Sequence, residues 1–375
     1  VGRYRELGVD VRKRGIESFK KLIEGELPHA FCPVTKVGNK ALVLHTDGVG
    51  SKPVQAYLQW RETSEDKWFD LSQDLLAMNL DDAVCVGCGQ FLFVDYVALN
   101  PNLVPKRRLL ARLARGFERM KEWLNKLGTP FVLLGGETAD LPDQLKTFDL
   151  SGTVLGIGNP RTIVGGEVKE GDVIIGLRSG GRCKHEKREN SGIMCNGITL
   201  ARHCLLKPEY AKKYPEIADG KYWGRFDTDQ YVEELTMTIG EAILSPTRIY
   251  APLILRLLQK FRQDISGLVH NTGGGLTKCL RIGKNITFVK DKLPDPDPVF
   301  ILIQREGKVS WREMHQVFNM GVGFEIYARR ETAEDIISEC QKFGIEASII
   351  GRCERGSGKN RVVLKTKFGK FQYQQ

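Results

Sequence analysis

No stretch of this chain stays apolar for the roughly 18–20 residues that a membrane span requires, so no membrane role is expected. The segment from Val1 to Arg14 is charged and has no apolar h-region, which points toward the cytoplasm. Nine cysteines fall without regular spacing, and the odd count excludes a complete disulfide framework and fits a reducing compartment. Both common nucleotide signatures are also missing. There is no GxxxxGK[ST], GGGLTK lacks its spacing, and no GxGxxG opens a strand–helix unit. Any ATP site must therefore hold its phosphates through metal, on another architecture. Cys85 and Cys88 form a CxxC, but no second pair lies at zinc spacing, so buried thiols are the simpler reading. Cys195 beside Asn196 lacks the signature of a cysteine nucleophile.

What the chain does have is length, positive charge and glycine. Its 375 residues can bury a large core and divide into two domains. A formal net charge of +10 draws anions, but the 56 Lys and Arg are scattered among 46 Asp and Glu. Without zinc-finger spacing or an aromatic RNA-binding motif, nucleic acid is not the expected partner; small phosphorylated molecules account for the charge. Apolar runs end at polar glycine loops. Ala41 to Leu44 leads to Asp47 and Phe131 to Leu134 to Glu137, while Gln90 to Leu99 and Leu150 to Ile157 read as further strands. The spacing of Leu109, Leu113, Phe117, Met120, Leu124 and Leu127 predicts a helix over 106–127 with one buried stripe. Gly158-Asn159-Pro160 breaks the pattern and sets a boundary near residue 160, giving domains over 1–160 and 161–375. Beyond it, strands are expected at 173–177, 322–328 and 347–353, and helices at 196–206, 246–261 and 333–343. The class is α/β or α+β. Segments 60–68, 182–192 and 208–231 read as surface insertions, and the basic tail from Gly356 to Gln375 as cover for an edge.

Six segments carry the chemistry: HTDGVGSK (His45 to Lys52), GGETAD (Gly135 to Asp140), CNGITL (Cys195 to Leu200), SPTRIY (Ser245 to Tyr250), HNTGGG (His270 to Gly275) and FNMGVG (Phe318 to Gly323). All but SPTRIY set glycine beside a polar or charged side chain, so the backbone can approach a ligand while the neighbour meets phosphate or metal. Asp47 shares a turn with Gly48, Gly50, Ser51 and Lys52; its oxygens suit Mg2+, and Lys52 and the glycine amides suit phosphate. Asp81 and Asp82 repel one another unless a divalent ion neutralises them, and the helix dipole disfavours acids at a C-terminus. Glu137 is a third metal or nucleotide candidate. Ser179-Gly180 and Asn196-Gly197 offer amides to an anion, helped by the basic loop between them. Thr272 with Gly273, Gly274 and Gly275 is the sharpest anion loop, because three consecutive glycines cost backbone entropy that packing does not readily explain. His270 before it is a candidate general base or substrate contact, set against the structural role a lone histidine more often has.

Together these segments resemble the phosphoribosylformylglycinamidine cyclo-ligase (aminoimidazole ribonucleotide synthetase) family of purine biosynthesis, from Gly8-Val9-Asp10 to at least Ala328. TDGVGSK, GGETA and TGGG are similar to a wider ATP-binding superfamily that includes selenophosphate synthetase, thiamine monophosphate kinase and a hydrogenase maturation factor. SPTRIY, HNTGGG and MHQVFNMGVG (Met314 to Gly323) are similar to the cyclo-ligase itself. The resemblance implies an α+β two-domain subunit, its N-terminal domain forming a barrel-like homodimer interface and its C-terminal α+β domain packed on it with the cleft between. It implies that formylglycinamidine ribonucleotide and ATP give aminoimidazole ribonucleotide, ADP and phosphate through an iminophosphate, with Mg2+ required and room for a monovalent cation. By motif, Asp47, Asp82 and Glu137 hold the metal, and Gly48, Lys52, Gly136 and Thr138 complete the nucleotide site. Ser179, Gly180, Asn196, Gly197, Thr272 and Gly273 to Gly275 hold the substrate or its phosphate, and His270, Asp47 and Lys52 form the catalytic set, His270 for proton transfer.

Two departures stand out. The family usually has Asn-Asp where this chain has Asp81-Asp82, which suggests altered metal number or affinity. Its usual short loop ending His-Ser-Asn-Gly is here a longer basic stretch ending Met194-Cys195-Asn196-Gly197, for which His185 and Ser191 are the candidate substitutes. The competing readings are a sister phosphotransferase and a non-catalytic nucleotide- or RNA-binding protein. MHQVFNMGVG and SPTRIY argue against the first; intact Asp47, Glu137 and the three glycines argue against the second.

Overall fold

The computed structural model describes residues 2–10, 15–217 and 221–374, with the backbone alone for Lys20. Parts of the charged segment 1–14 and of the insertion 208–231, and the last residue of the tail, lie outside the described residues. Two mixed sheets organise the rest. The first contains β1 (Thr35–Val37), β2 (Lys40–Gly48), β3 (Gln90–Leu99), β4 (Phe131–Asp140) and β5 (Phe148–Gly158) in the order β1-β2-β5-β3-β4. Only the β3–β4 pair is parallel. Along β5, Leu150, Gly152, Val154 and Gly156 are buried while the residues between them are not, the period of two that a half-covered strand requires. The cover comes from α1 (Lys52–Thr63), α2 (Trp68–Val84) and α3 (Lys106–Lys126), with α2 lying on β2 and β5 and α3 lying on α2. Close approach needs glycine here. A side chain at Gly152 would meet the Phe93 ring at 2.3 Å, and one at Gly116 the Phe69 carbonyl oxygen at 2.4 Å. The expected stripe of α3 is buried from Leu109 to Leu124.

HTDG and GGETAD correct the sequence reading. Expected as loops beyond short strands, they are the ends of β2 and β4. Glycine has weak strand propensity, but long-range pairing with β5 and β3 decides the outcome.

The second sheet contains β6 (Val173–Arg178), β7 (Ile265–His270), β8 (Ile286–Lys290), β9 (Val322–Ala328), β10 (Ala347–Arg355), β11 (Arg361–Thr366) and β12 (Gly369–Gln374), in the order β7-β9-β6-β10-β8-β11-β12. The basic tail is therefore the β11–β12 hairpin at the sheet's edge. Helix α4 (Ile198–Leu205) follows the basic loop, and α5 (Ala251–Phe261) and α6 (Ala333–Phe343) pack on one another. The class is α+β, and within one chain the first sheet stays open. Among the described residues no helix is long and apolar enough to cross a membrane. All nine cysteines are buried and free.

Candidate active site

Helix α2 carries three buried acids with three different partners. Asp74 and Asp81 are seven residues apart, two turns along one face, and both grip SPTRIY. Asp74 Oδ1 accepts from Thr247 N at 2.7 Å, Thr247 Oγ1 at 2.6 Å and Lys52 Nζ at 2.7 Å. Lys52 also donates to the Ser245 carbonyl at 2.6 Å and has no exposed surface. This corrects the expected phosphate role of Lys52: its buried ammonium ties Asp74 to the Ser245 carbonyl, across the two halves of the chain. Asp81 accepts from Tyr250 N at 3.0 Å and Ala251 N at 2.7 Å. These are amides at the N-terminus of α5, where a carboxylate is favoured. They also explain why this helix begins at Ala251 and not at Pro246, as expected. Burial pushes the Asp81 carboxyl up to about 7, against the opposing effects of His270 and the two amides. Both Asp81 oxygens thus accept from amides at a helix terminus.

Asp82 faces the other way. Its Oδ1 is 2.8 Å from His270 Nδ1 and its Oδ2 3.4 Å from His45 Nε2. Burial works to raise its pKa, but Lys278, His270 and His45 outweigh it and hold the carboxyl well below the usual range. Asp47 shares the helix-covered face of β2 with His45 and is tied to α2 through Asn79, whose amide bonds the Asp47 backbone on both sides at 3.2 Å. Burial and then the charge of Asp82 raise the Asp47 pKa. A carboxylate whose ionisation is disfavoured by the charge of a second, both of them hard oxygen donors, fits a Mg2+ ion.

Glu137 does not join them within the chain. Residues opposite one another across a sheet share a face, and Asp47, Gly152, Asp95 and Gly136 form one row on the covered side. Gly48, Ser151, Tyr96 and Glu137 form the next row, on the open side. Glu137 is exposed there, three strand spacings or roughly 14 Å from β2. Gly136 abuts the Asp95 carboxylate, and Thr138 N donates to Glu137 at 2.9 Å.

The loops expected to hold substrate divide in two. Ser179 and Gly180 are committed: Ser179 N donates to the Gly321 carbonyl, its hydroxyl to Asn319 Oδ1 at 2.9 Å, and Gly180 pairs with Ser191 against Asp297. The Ser179 amide and hydroxyl are therefore not free for an anion, which corrects the expectation for Ser179. Asn196 and the TGGG loop do meet, since a side chain at Gly273 would lie 3.5 Å from Asn196 Oδ1. Asn196 Nδ2 is buried and has no hydrogen-bond partner among the described residues. Two of the three glycines turn out to be structural. Gly274 adopts φ 106° and Gly275 φ 50°, the latter with the Phe318 carbonyl 2.2 Å from where a Cβ would stand. Gly273 is the exposed one. Gly197, at φ 72°, lies against the Phe318 ring. Ser51 Oγ, 2.7 Å from Thr199 Oγ1, seats the turn after β2 on this segment.

His270 is fully buried between Asp81 and Asp82 and stacks on Phe324. Direct proton exchange with a substrate is corrected by that burial; its contact is with Asp82. His185 is exposed against Trp123 and Phe343, and Ser191 Oγ donates to the Ala242 carbonyl at 2.7 Å, so neither expected substitute reaches Asp47 or Asp82. A cavity of about 670 Å3, lined by Arg119, Trp123, Lys187 and Arg188 among others, lies outside this cluster and includes neither acid.

Sequence reasoning missed Lys278. Its ammonium bonds Thr272 Oγ1 at 2.7 Å, lies over the Phe31 ring, and is the main charge lowering the Asp82 pKa. The available signal was GGGLTK itself, set aside because it is not a P-loop.

Comparison with known proteins bears on this geometry at two levels. Residues 31–158 match the AIR synthase related protein N-terminal domain, and residues 169–363 match the corresponding C-terminal domain. The two sheets are thus those of an AIR synthase-related protein. Phosphoribosylformylglycinamidine cyclo-ligases from Methanocaldococcus jannaschii and Pyrococcus furiosus are 34% and 33% identical over 361 and 357 residues. These alignments cover 93% and 91% of this chain and 91% and 92% of the relatives. The chain belongs to the phosphoribosylformylglycinamidine cyclo-ligase family. Among solved structures, a HypE–HypF complex is similar with TM-score 0.60 at 15% identity, covering 96% of this chain and 97% of that one. Thiamine monophosphate kinase from Aquifex aeolicus is similar with TM-score 0.57 at 13% identity, covering 95% and 98%. These two likenesses bear on the fold alone.

Proposed function

We propose that this protein catalyses the ATP-dependent cyclisation of formylglycinamidine ribonucleotide to aminoimidazole ribonucleotide, ADP and phosphate. The observation that carries the reading is the Asp47–Asp82 pair, set beneath the TGGG loop and Lys278 in a chain whose relatives carry that enzyme's name. Solved neighbours complexed with AMPPCP and TMP, and with ADP, support the nucleotide. Asp47 and Asp82 would hold Mg2+, which when bound would supply charge neutralisation to the transferring phosphoryl group. The chain's own residues do the rest. His270 holds one oxygen of Asp82 and so orients the other. Lys278 supplies the cation expected of Lys52. The amide of Asn196 and the backbone around Gly273 receive the substrate's phosphate. Phosphorylation turns the amide oxygen into a leaving group; the amidine nitrogen attacks the carbon, closes the ring and expels phosphate. The SPTRIY clamp holds the domains in register so that these groups converge.

The reading takes residues 1–160 as the nucleotide and dimerisation domain and 161–375 as the substrate domain of a cytoplasmic homodimer. Among the described residues the outer edge of β4 is unpaired, and β1 pairs with β2 only at Lys40 to Leu42. A second copy's β4 laid along the free part of β2 closes two open sheets into a barrel and brings the partner's Glu137 toward Asp47. The first test is incubation with Mg-ATP and formylglycinamidine ribonucleotide. Substrate-dependent, equimolar aminoimidazole ribonucleotide and phosphate are expected; ATP binding with no product overturns the reading.

A further inference from the structure

Beside the acid pair lies a group with a different chemical preference. Cys32 is buried, donates its thiol to the Asp82 carbonyl at 3.4 Å, and stands with Sγ 4.0 Å from His45 Nδ1. His45 Nε2, 3.4 Å from Asp82 Oδ2, is itself buried and makes no hydrogen bond among the described residues. One ligand atom from each of Cys32, His45 and Asp82 lies within 4.8 Å of the other two. The three come from separate segments: the approach to β1, the middle of β2 and the last turn of α2. Mg2+ takes oxygen ligands and has no use for a thiol or an imidazole. Thiolate, imidazole and carboxylate together are the ligand set of Zn2+ and its softer neighbours.

We propose that Cys32, His45 and Asp82 form a binding site for a thiophilic transition-metal dication of the Zn2+ class. A tetrahedral ion needs its ligand atoms roughly 3.3–3.6 Å apart, within small side-chain adjustments of the separations here. The outer shell is already built, since His270 Nδ1 holds Asp82 Oδ1 at 2.8 Å and leaves Oδ2 for the ion. The charge balance is also favourable. Asp47, Asp82 and a Cys32 thiolate carry three negative charges against the two positive charges of Lys278 and Arg281, and a dication offsets the remaining negative charge. On binding, the thiol gives up its bond to the Asp82 carbonyl and its proton leaves to solvent. Three protein ligands leave the fourth position to water or a substrate oxygen. Asp82 belongs to this set and to the Mg2+ pair, so the two kinds of ion compete for it.

The test uses chelator-treated full-length protein, titrated with Zn2+ against a chromophoric chelator and with Co2+ by absorption. One tight equivalent and a sulfur-to-cobalt charge-transfer band are expected. Cys32→Ser removes the band and weakens Zn2+ binding by at least about tenfold, the scale on which even outer-shell partners act. His45→Gln weakens it comparably, and the Cys85→Ser/Cys88→Ser double variant changes neither readout. Cobalt binding without the sulfur band, a band that survives Cys32→Ser, or wild-type affinity in either ligand variant overturns the site. Circular dichroism checks folding. His45→Gln, whose Nε2 has no hydrogen bond to lose, carries the test where Cys32→Ser does not fold.

Discussion

The two faces of the first sheet are made from alternate residues of the same strands, yet only one is finished. On the covered face, Val43, His45 and Asp47 of β2 lie toward α2, where His45 meets Asp82 and the Asp47 backbone is bonded by Asn79. On the other face, Leu44, Leu155, Leu92 and Val132 form a row across four strands. Leu44 is 73% exposed and Leu134, on the edge strand, 63%. The second sheet has nothing comparable, since β9 is buried at every position. An apolar row of this kind, beside two strand edges free among the described residues, is the surface that the proposed second copy would cover. The contrast teaches where chemistry and assembly divide. The chain completes the acid pair itself and leaves Glu137, with the aliphatic row, on the face it does not complete.

The largest expected effect separates the two faces directly. Asp47→Asn should lower turnover by about 1000-fold, some 4 kcal/mol of lost charge stabilisation, with the circular dichroism spectrum unchanged. Wild-type kcat would sink the metal assignment. Glu137→Gln should also be inactive, for a different reason: in the proposed dimer its carboxylate serves the partner's site. Mixing the two inactive proteins should then restore about a quarter of wild-type activity, because half of the re-sorted dimers are hybrids and each hybrid has one intact site. No recovery at all removes Glu137 from the shared site. Leu134→Asp puts a charge on the uncovered face. It should weaken self-association by about 2 kcal/mol or more, some 30-fold, and lower activity with it, while the fold persists. Sedimentation velocity measures this, and an unchanged association state breaks the reading of that face.

How much of this was legible in sequence depends on how local each signal was. The bounds of Gln90–Leu99, Val322–Ala328 and Ala333–Phe343 follow from periodicity alone and match the observed elements. GGETAD did not read as a strand because its ladder partner, β3, lies some forty residues earlier and no glycine-rich propensity hints at it. SPTRIY, the one segment without glycine, was hardest to assign a task; its meaning appears only when Asp74 and Asp81 arrive from another domain to hold its amides. Lys52 and Lys278 are mirror errors. The first adjoins a glycine turn and reads as a phosphate ligand but is buried; the second trails GGG at the wrong P-loop spacing and yet reaches the site.

Lys52 therefore offers a sharper test of the covered face. Lys52→Met leaves Asp74 buried without its ammonium, and breaking a buried pair in this way costs about 3–5 kcal/mol. Urea unfolding should show that loss, with KM for ATP little changed in whatever folded protein remains. A lysine on the triphosphate would do the reverse, raising KM and sparing stability.

The smallest effect comes from buried histidines of the finished second domain, His203 and His315. Burial lowers the pKa of both from 6.5 to about 4; the Lys221 carbonyl opposes this at His203, where Arg202 reinforces it, and the Trp311 carbonyl opposes it at His315. Both are neutral in the folded protein at neutral pH. Between pH 6.5 and about 4 the unfolded chain takes up protons at these positions and the folded chain does not. Their contribution to stability is thus fully present above pH 6.5 and is lost as the pH falls through that window. Replacing both with Gln should flatten the stability–pH slope there by on the order of 1 kcal/mol per pH unit, and should leave self-association untouched. Denaturation midpoints at several pH values measure the slope. An identical slope in the double variant would mean that acid lability resides in the carboxylates instead, the Asp47–Asp82 side of the first sheet included.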